Sequence, residues 1–201
     1  NAAVGYNNID VAAARERGII VTNTPGVLTD ATADLTWALI LGITRRIGEG
    51  ERLIRRGEWR GWTFDFMLGA ELRGKQLGIV GYGGIGRAVA ARGRAFGMRI
   101  AYTSRTPKND PDAEAMTLDR LLATSDVVSL HCPLTSETRH LIDQPALARM
   151  KRSAYLINTS RGPVVDEKAL AWALRMRLIA GAALDVFEQE PKVEPELLTL
   201  E

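Results

Sequence analysis

Cysteine, net charge and long apolar runs are all scarce in this chain, and each scarcity removes a class of function. The single cysteine, Cys132, cannot close an internal disulfide, so the expected setting is a reducing one, the cytoplasm. With 26 basic and 24 acidic residues the formal charge is only +2, and no electrostatic footprint of a nucleic-acid binder is present. The longest strongly apolar stretch, Trp37 to Ile43, is broken by Gly42 and closed by Thr44-Arg45-Arg46. That is far short of the roughly 20 residues needed to span a bilayer, so no membrane partner is expected. No metal site is expected either. Asn1 is preceded by no initiator methionine or signal peptide, and the segment ending at Glu201 has no terminator character, so the chain reads as a fragment cut at both ends.

What is present is ordinary globular material. Apolar residues at 46% and charged residues at 25% argue against disorder. The 201 residues suffice for one large domain, or one domain and part of another. There is no internal repeat and no low-complexity segment.

The pattern begins with a helical stretch, Asp10 to Arg17, followed by GIIVTN (Gly18 to Asn23), whose β-branched residues predict a buried strand. After Pro25, Thr29 or Asp30 can cap a long helix running to about Ile47, with a more polar helix to Arg56 beyond it. Strands and helices then alternate. Strands are predicted at 76–80, 98–103, 126–131, 154–158 and 181–186, and helices at 85–95, 118–123, about 144–150 and 167–176. Such alternation implies an α/β fold: a doubly wound parallel sheet covered by helices on both faces, of the Rossmann dinucleotide-binding type.

The first strand runs into LGIVGYGGIGRAVA, whose Gly81, Gly83 and Gly86 fit the dinucleotide fingerprint. The first glycine permits the tight turn, the second lets backbone approach a pyrophosphate, and the third lets the helix pack close to the sheet; free N–H donors at the helix start meet the anion. A glycine-rich turn with no ligand is the bland alternative. The strand before and the helix after it favour the nucleotide.

An NAD site places Asp or Glu about 20 residues further on, to bond the ribose hydroxyls. This chain reads Tyr102-Thr103-Ser104-Arg105-Thr106 there, with no acid before Asp110. Arg105 can pair with a 2′-phosphate and the Ser104 and Thr106 hydroxyls can donate to it, so NADP(H) is favoured and NAD(H) is kept as the second choice. A solvated loop arginine is the bland reading of Arg105.

Five segments together carry a family resemblance: VGYNNID (Val4 to Asp10), LRGKQLGIVGYGGIG, HCPLTSETRHLI (His131 to Ile142), INTSRGPVVD (Ile157 to Asp166) and AALDVFEQEP (Ala182 to Pro191). In this order, over nearly the whole chain, they resemble the D-isomer-specific 2-hydroxyacid dehydrogenases. GEWRGW (Gly57 to Trp62) and the YTSRT strand end look most like the glyoxylate/hydroxypyruvate reductase branch. The resemblance implies hydride transfer between NADP(H) and a small 2-oxo or 2-hydroxy acid, by a homodimer. It divides the chain into residues 1–26, the end of a substrate-binding domain, and 27–201, the dinucleotide-binding domain.

Residue by residue, the resemblance implies that Arg161 binds the substrate and polarises its carbonyl, and that Glu190 orients the catalytic histidine and raises its pKa. It places Asp185 at the nicotinamide end, Val4 and Gly5 in the loop whose N–H groups hold the substrate carboxylate, and Trp62 at a dimer interface reaching towards the partner's pocket. Cofactor contacts are carried over to Gly81, Gly83, Gly84, Ile85, Gly86, Cys132, Pro133, Thr138 and Thr159. The family's histidine lies beyond Glu190 and past the end of this chain, so the chain alone is expected not to turn over. His131 and His140 read as strand-end and surface residues instead. Cys132 reads as a small buried residue, and Trp59 and Trp62 as core or interface. Three positions depart from the family: Gly84 replaces a frequent arginine, and Arg177 and Ala183 replace frequent glycines. A non-enzymatic alternative also keeps its place, since dinucleotide-sensing corepressors share this fold and its Arg and Glu positions.

Overall fold

The computed structural model describes residues 1–200, with Glu201 outside the described residues. Six strands form one parallel sheet: β1 (Gln76–Val80), β2 (Arg99–Thr103), β3 (Glu114–Ala115), β4 (Val127–Leu130), β5 (Tyr155–Asn158) and β6 (Gly181–Leu184), in the order β3-β2-β1-β4-β5-β6. The order turns outward in both directions from β1 and β4, which is the switch point of a doubly wound sheet, where ligands bind beyond the strand ends. The sequence reading of this region holds for every long element. The two-residue β3 escaped it, since so short a strand leaves no period to detect.

Among the described residues seven α-helices accompany the sheet: α1 (Val11–Glu16), α2 (Thr29–Thr44), α3 (Ile47–Arg55), α4 (Gly84–Ala95), α5 (Leu118–Thr124), α6 (Gln144–Arg149) and α7 (Glu167–Arg175). One core lies between the sheet and α2 and α4, around Trp37, Ile40, Leu77, Ile79 and Val89. The other lies under α5, α6 and α7, around Leu121, Leu147, Leu156 and Leu170. The α2 helix buries Ala33, Trp37, Ile40 and Thr44, a three-and-four spacing that forms one stripe. Trp37 donates its indole N–H to the Val89 carbonyl at 3.0 Å and stacks on Phe96 with centroids 4.5 Å apart, which locks α2 to α4. Asp126 accepts the Gln76 N–H at 2.8 Å and pairs with Lys151 at 3.1 Å, fixing the starts of two central strands; these contacts hold its carboxyl below the usual range against the opposing effect of burial.

Two predictions from the first thirty residues fail. Gly18–Asn23 forms no strand: Ile19 is 58% and Ile20 88% exposed. Among the described residues no neighbouring strand offers it a ladder, and β-branched composition cannot substitute for one. Neither does Thr29 or Asp30 cap α2, whose N-cap is Leu28 with no side-chain bond. The long helix predicted to Ile47 stops at Thr44, because Arg46 turns left-handed (φ 55°) and starts α3 in a new direction.

Candidate active site

The glycine turn leaves β1 at its C-terminal end. Gly81 has φ +97°, and a Cβ there would lie 2.6 Å from the Cys132 nitrogen, so only glycine fits between the ends of β1 and β4. At Gly86 a Cβ would stand 2.3 Å from the Gly81 carbonyl oxygen, which is the close helix approach the fingerprint requires. Gly83 faces open space with nothing within 4 Å, and no side chain caps α4, which begins at Gly84 and Ile85. The first-turn N–H groups therefore point at an open cradle, which fits a pyrophosphate in shape and in charge.

Beside that cradle is a cavity of about 600 Å³, lined by Gly81, Gly83, Ser104–Thr106, Lys108, His131–Pro133 and Thr138 among others. The predicted fingerprint, strand-end and β4-loop residues thus come together at one place. Thr138 holds the 133–138 turn by accepting the Thr135 N–H at 2.7 Å and donating to the Pro133 carbonyl at 2.6 Å. Ser104 donates instead to the Thr106 carbonyl at 2.7 Å, so its proton braces the loop and is not offered to a ligand. Burial pushes the Cys132 thiol up to about 11 and the His131 imidazole down to about 4, leaving both neutral near pH 7; His131 Nε2 lies 2.8 Å from Ser129 Oγ. A neutral thiol is a packing group and not a nucleophile. A larger cavity, about 810 Å³, opens at the β6 edge between Ile43, Arg46, Ala182 and Leu198; it contains none of the residues singled out for binding or catalysis.

Arg161 stands beyond β5. The buried Asn158 builds the turn beneath it, donating to the Arg161 carbonyl at 3.0 Å and accepting from Ser160 N and Oγ at 3.0 and 2.8 Å. The guanidinium donates to Asn7 at 2.9 Å and to the Ser160 carbonyl at 2.6 Å. It also lies against Gly5, where a Cβ would come within 2.1 Å of Arg161 Nη2. The loop carrying Val4 and Gly5, 156 residues away by number, is therefore seated on the arginine. Asn23 secures it from behind, donating to the Val4 carbonyl at 2.8 Å. Asn7, Asn23 and Asn158 escaped the sequence reading as site supports, although Asn7 and Asn158 sit inside the quoted motifs.

Gly162 makes the next connection. A Cβ there would lie 1.8 Å from the Phe187 carbonyl oxygen, so the Arg161 turn and the loop ahead of Glu190 are in backbone contact. Glu190 is exposed and accepts the Phe187 N–H at 2.9 Å; Asp185, just past β6, is exposed as well. The buried Glu167 accepts the N–H groups of Glu188 and Glu194, bracketing Glu190. Thr159 is tied to Thr36 Oγ1 at 2.9 Å. Because Thr36 donates its one proton to Thr32, Thr159 is the donor of that pair.

His140 sits in a turn with φ 51°, its Nε2 2.6 Å from Glu188, while Trp62 is 79% exposed, which removes the core reading. Arg177, just past the end of α7, adopts the left-handed conformation, φ 52°. Among the described residues no cluster of three His, Cys, Asp or Glu side chains could hold a metal, and no helix is long and apolar enough to cross a membrane.

The family described as D-isomer specific 2-hydroxyacid dehydrogenase, NAD binding domain, matches residues 37–201. A glyoxylate reductase of Thermococcus litoralis is 54% identical over 206 residues, covering 98% of this chain and 62% of that protein. One from Aeropyrum pernix is 56% identical over 197 residues, covering 94% and 59%. The crystal structure of an NADPH-dependent glyoxylate/hydroxypyruvate reductase from Sinorhizobium meliloti, in complex with NADP and malonate, aligns with a TM-score of 0.92 at 41% identity, covering 98% of this chain and 62% of that one. The chain thus spans about 60% of the length of these relatives.

Proposed function

The chain belongs to the D-isomer specific 2-hydroxyacid dehydrogenase family, and from that premise we propose that it is the dinucleotide-binding portion of a reductase acting on glyoxylate or hydroxypyruvate with NADP(H). Residues 27–201 hold the cofactor, and residues 1–26 are the closing piece of the substrate domain. The observation that carries this reading is Arg161 braced by Asn7 and Ser160 with Gly5 packed on its guanidinium, because it joins the substrate-carboxylate loop to the family's substrate arginine.

When bound, the reduced nicotinamide supplies the hydride. The protein's own residues do the rest. Gly83, Gly84, Ile85 and Gly86 would offer the pyrophosphate their open backbone N–H groups, and Asp185 would meet the nicotinamide end. Arg161 pairs with the 2-oxo acid's carboxylate and draws electron density from its carbonyl oxygen, while the N–H groups of the Val4–Gly5 loop hold that carboxylate from the other side. Glu190 orients the imidazole that protonates the new hydroxyl in this family. Neither His131, neutral and engaged with Ser129, nor His140, engaged with Glu188, is free for that task. Preference for the phosphorylated cofactor rests on Arg105, exposed and without a salt bridge among the described residues, in place of a ribose-binding acid. The exposed Trp59, Trp62 and Phe64 form the surface of a homodimer contact.

Two measurements test this. In a protein completed to the length of its relatives, Arg161→Ala abolishes reduction of hydroxypyruvate and leaves NADPH affinity intact; normal turnover overturns the substrate assignment. In titrations of the present chain, Arg105→Ala weakens NADPH by about 1.5 kcal/mol, the low end for a charge-assisted bond because the site is exposed, and leaves NADH unchanged. Equal losses overturn the 2′-phosphate assignment.

A further inference from the structure

The loop that carries Arg105 is pinned from below by two stacked tyrosines. Tyr82, inside the glycine turn, and Tyr102, on β2, are each 1% exposed, with ring centroids 4.1 Å apart and planes 18° from parallel. The Tyr102 hydroxyl accepts the Lys108 N–H at 2.9 Å and donates to the Lys108 carbonyl at 2.8 Å, so one phenol holds both backbone groups of that lysine. Two residues on, Asp110 accepts the Tyr82 hydroxyl at 2.6 Å and lies 2.8 Å from Arg94 Nη2. The first acid after β2 is thereby turned inward and neutralised. The Lys108 side chain, by contrast, is exposed, makes no salt bridge among the described residues and lines the same 600 Å³ cavity as Arg105.

We propose that Lys108 is the second cation of the subsite for the cofactor's 2′-phosphate, and that Tyr102 is the positioning residue that sets it there. The proposal rests on the NADP(H) reading above. A phosphate monoester carries nearly two negative charges at neutral pH, and Arg105 alone supplies one positive charge. An unpaired Asp110 beside Lys108 would cancel the second; its engagement by Tyr82 and Arg94 is what leaves Lys108 effective. The other charged group lining the cavity is Glu137, whose carboxyl is held below the usual range first by the Thr135 hydroxyl at 2.6 Å and in part by Arg105.

The test is equilibrium titration of the 201-residue chain with NADPH and with NADH, at low and at raised salt. Lys108→Ala weakens NADPH roughly 2–5-fold, the range for an exposed charge pair, and NADH less than about 1.5-fold. Lys108→Arg retains the parent's NADPH affinity. Tyr102→Phe, which keeps the ring stack and loses both hydroxyl bonds, weakens NADPH about threefold with NADH again spared. Raised salt narrows the gap between parent and Lys108→Ala. Equal losses for both cofactors, or no loss in Lys108→Ala, overturn the inference while Arg105 can still stand. A parent chain with no preference for NADPH overturns the cofactor reading and this subsite with it.

Discussion

Lowering the pH from about 7 to about 5 should cost this chain roughly 2 kcal/mol of stability through His131 alone. Burial at the end of β4 pushes its imidazole from 6.5 down to about 4. A depressed folded-state pKa gives stability that is complete above the unfolded value and is lost as pH falls towards the folded one. At about pH 5 the unfolded chain carries nearly a full proton on this residue and the folded chain about a tenth of one, and proton linkage converts that difference into about 2 kcal/mol. Below about pH 4 the same loss levels off near 3 kcal/mol. The assay is urea unfolding at the two pH values, for the parent and for His131→Gln, which keeps a polar side chain beside Ser129 and cannot titrate there. Asp110 and Asp126 do not confuse the comparison, since hydrogen bonds and a cationic neighbour hold both carboxyls below the usual carboxylate range and both residues are the same in parent and variant. The parent should lose about 2 kcal/mol more than the variant between the two conditions. Equal losses, within about 0.5 kcal/mol, would show that the imidazole gains a proton without unfolding and would refute the burial argument.

Gly162→Ala should destabilise the chain by about 3 kcal/mol, because its Cβ would meet the Phe187 carbonyl at 1.8 Å and backbone cannot yield as a flexible side chain can; an unchanged melting temperature would disprove the contact. Arg177→Gly should raise stability by about 0.5–1 kcal/mol, the relief of a left-handed side chain less the entropy glycine adds to the unfolded state, and a lower melting temperature would count against the φ of 52°. Trp62→Ala should change the stability of the chain by less than about 0.5 kcal/mol, since a 79% exposed ring has little packing to lose, and should weaken self-association measured by sedimentation; a loss of 3–5 kcal/mol would return the tryptophan to a core.

Most of the sheet was legible in the sequence because β1, β4 and β5 are buried on both faces and read as short apolar runs between helical periods. Legibility ended where a neighbour decides. Gly18–Asn23 has the composition of a strand and lacks a partner, and the α2–α3 break depends on Arg46 accepting a left-handed turn that its own side chain does not announce. The same limit explains the misplaced cap at α2: Thr29 and Asp30 are both good capping residues, but the chain enters the helix one residue earlier, at Leu28.

For the candidate site, spacing identified the residues and only the fold could show what engages them. Ser104 looked like a phosphate donor and spends its proton on Thr106. Asp110 is the first acid after the strand end, and its carboxylate is committed to Tyr82 and Arg94, from residues 28 and 16 positions away. Lys108 carries no signal in the sequence, because a lone lysine after proline in a polar loop is ordinary, and only the fold brings Tyr102 to hold its backbone. The discriminating feature of the strand end is therefore which of its charges is held in a salt bridge: Asp110 is, by Arg94, while Arg105 and Lys108 are exposed and make none among the described residues. Two buried phenols make that sorting, and their hydrogen bonds to Asp110 and Lys108 exist only once the chain is folded.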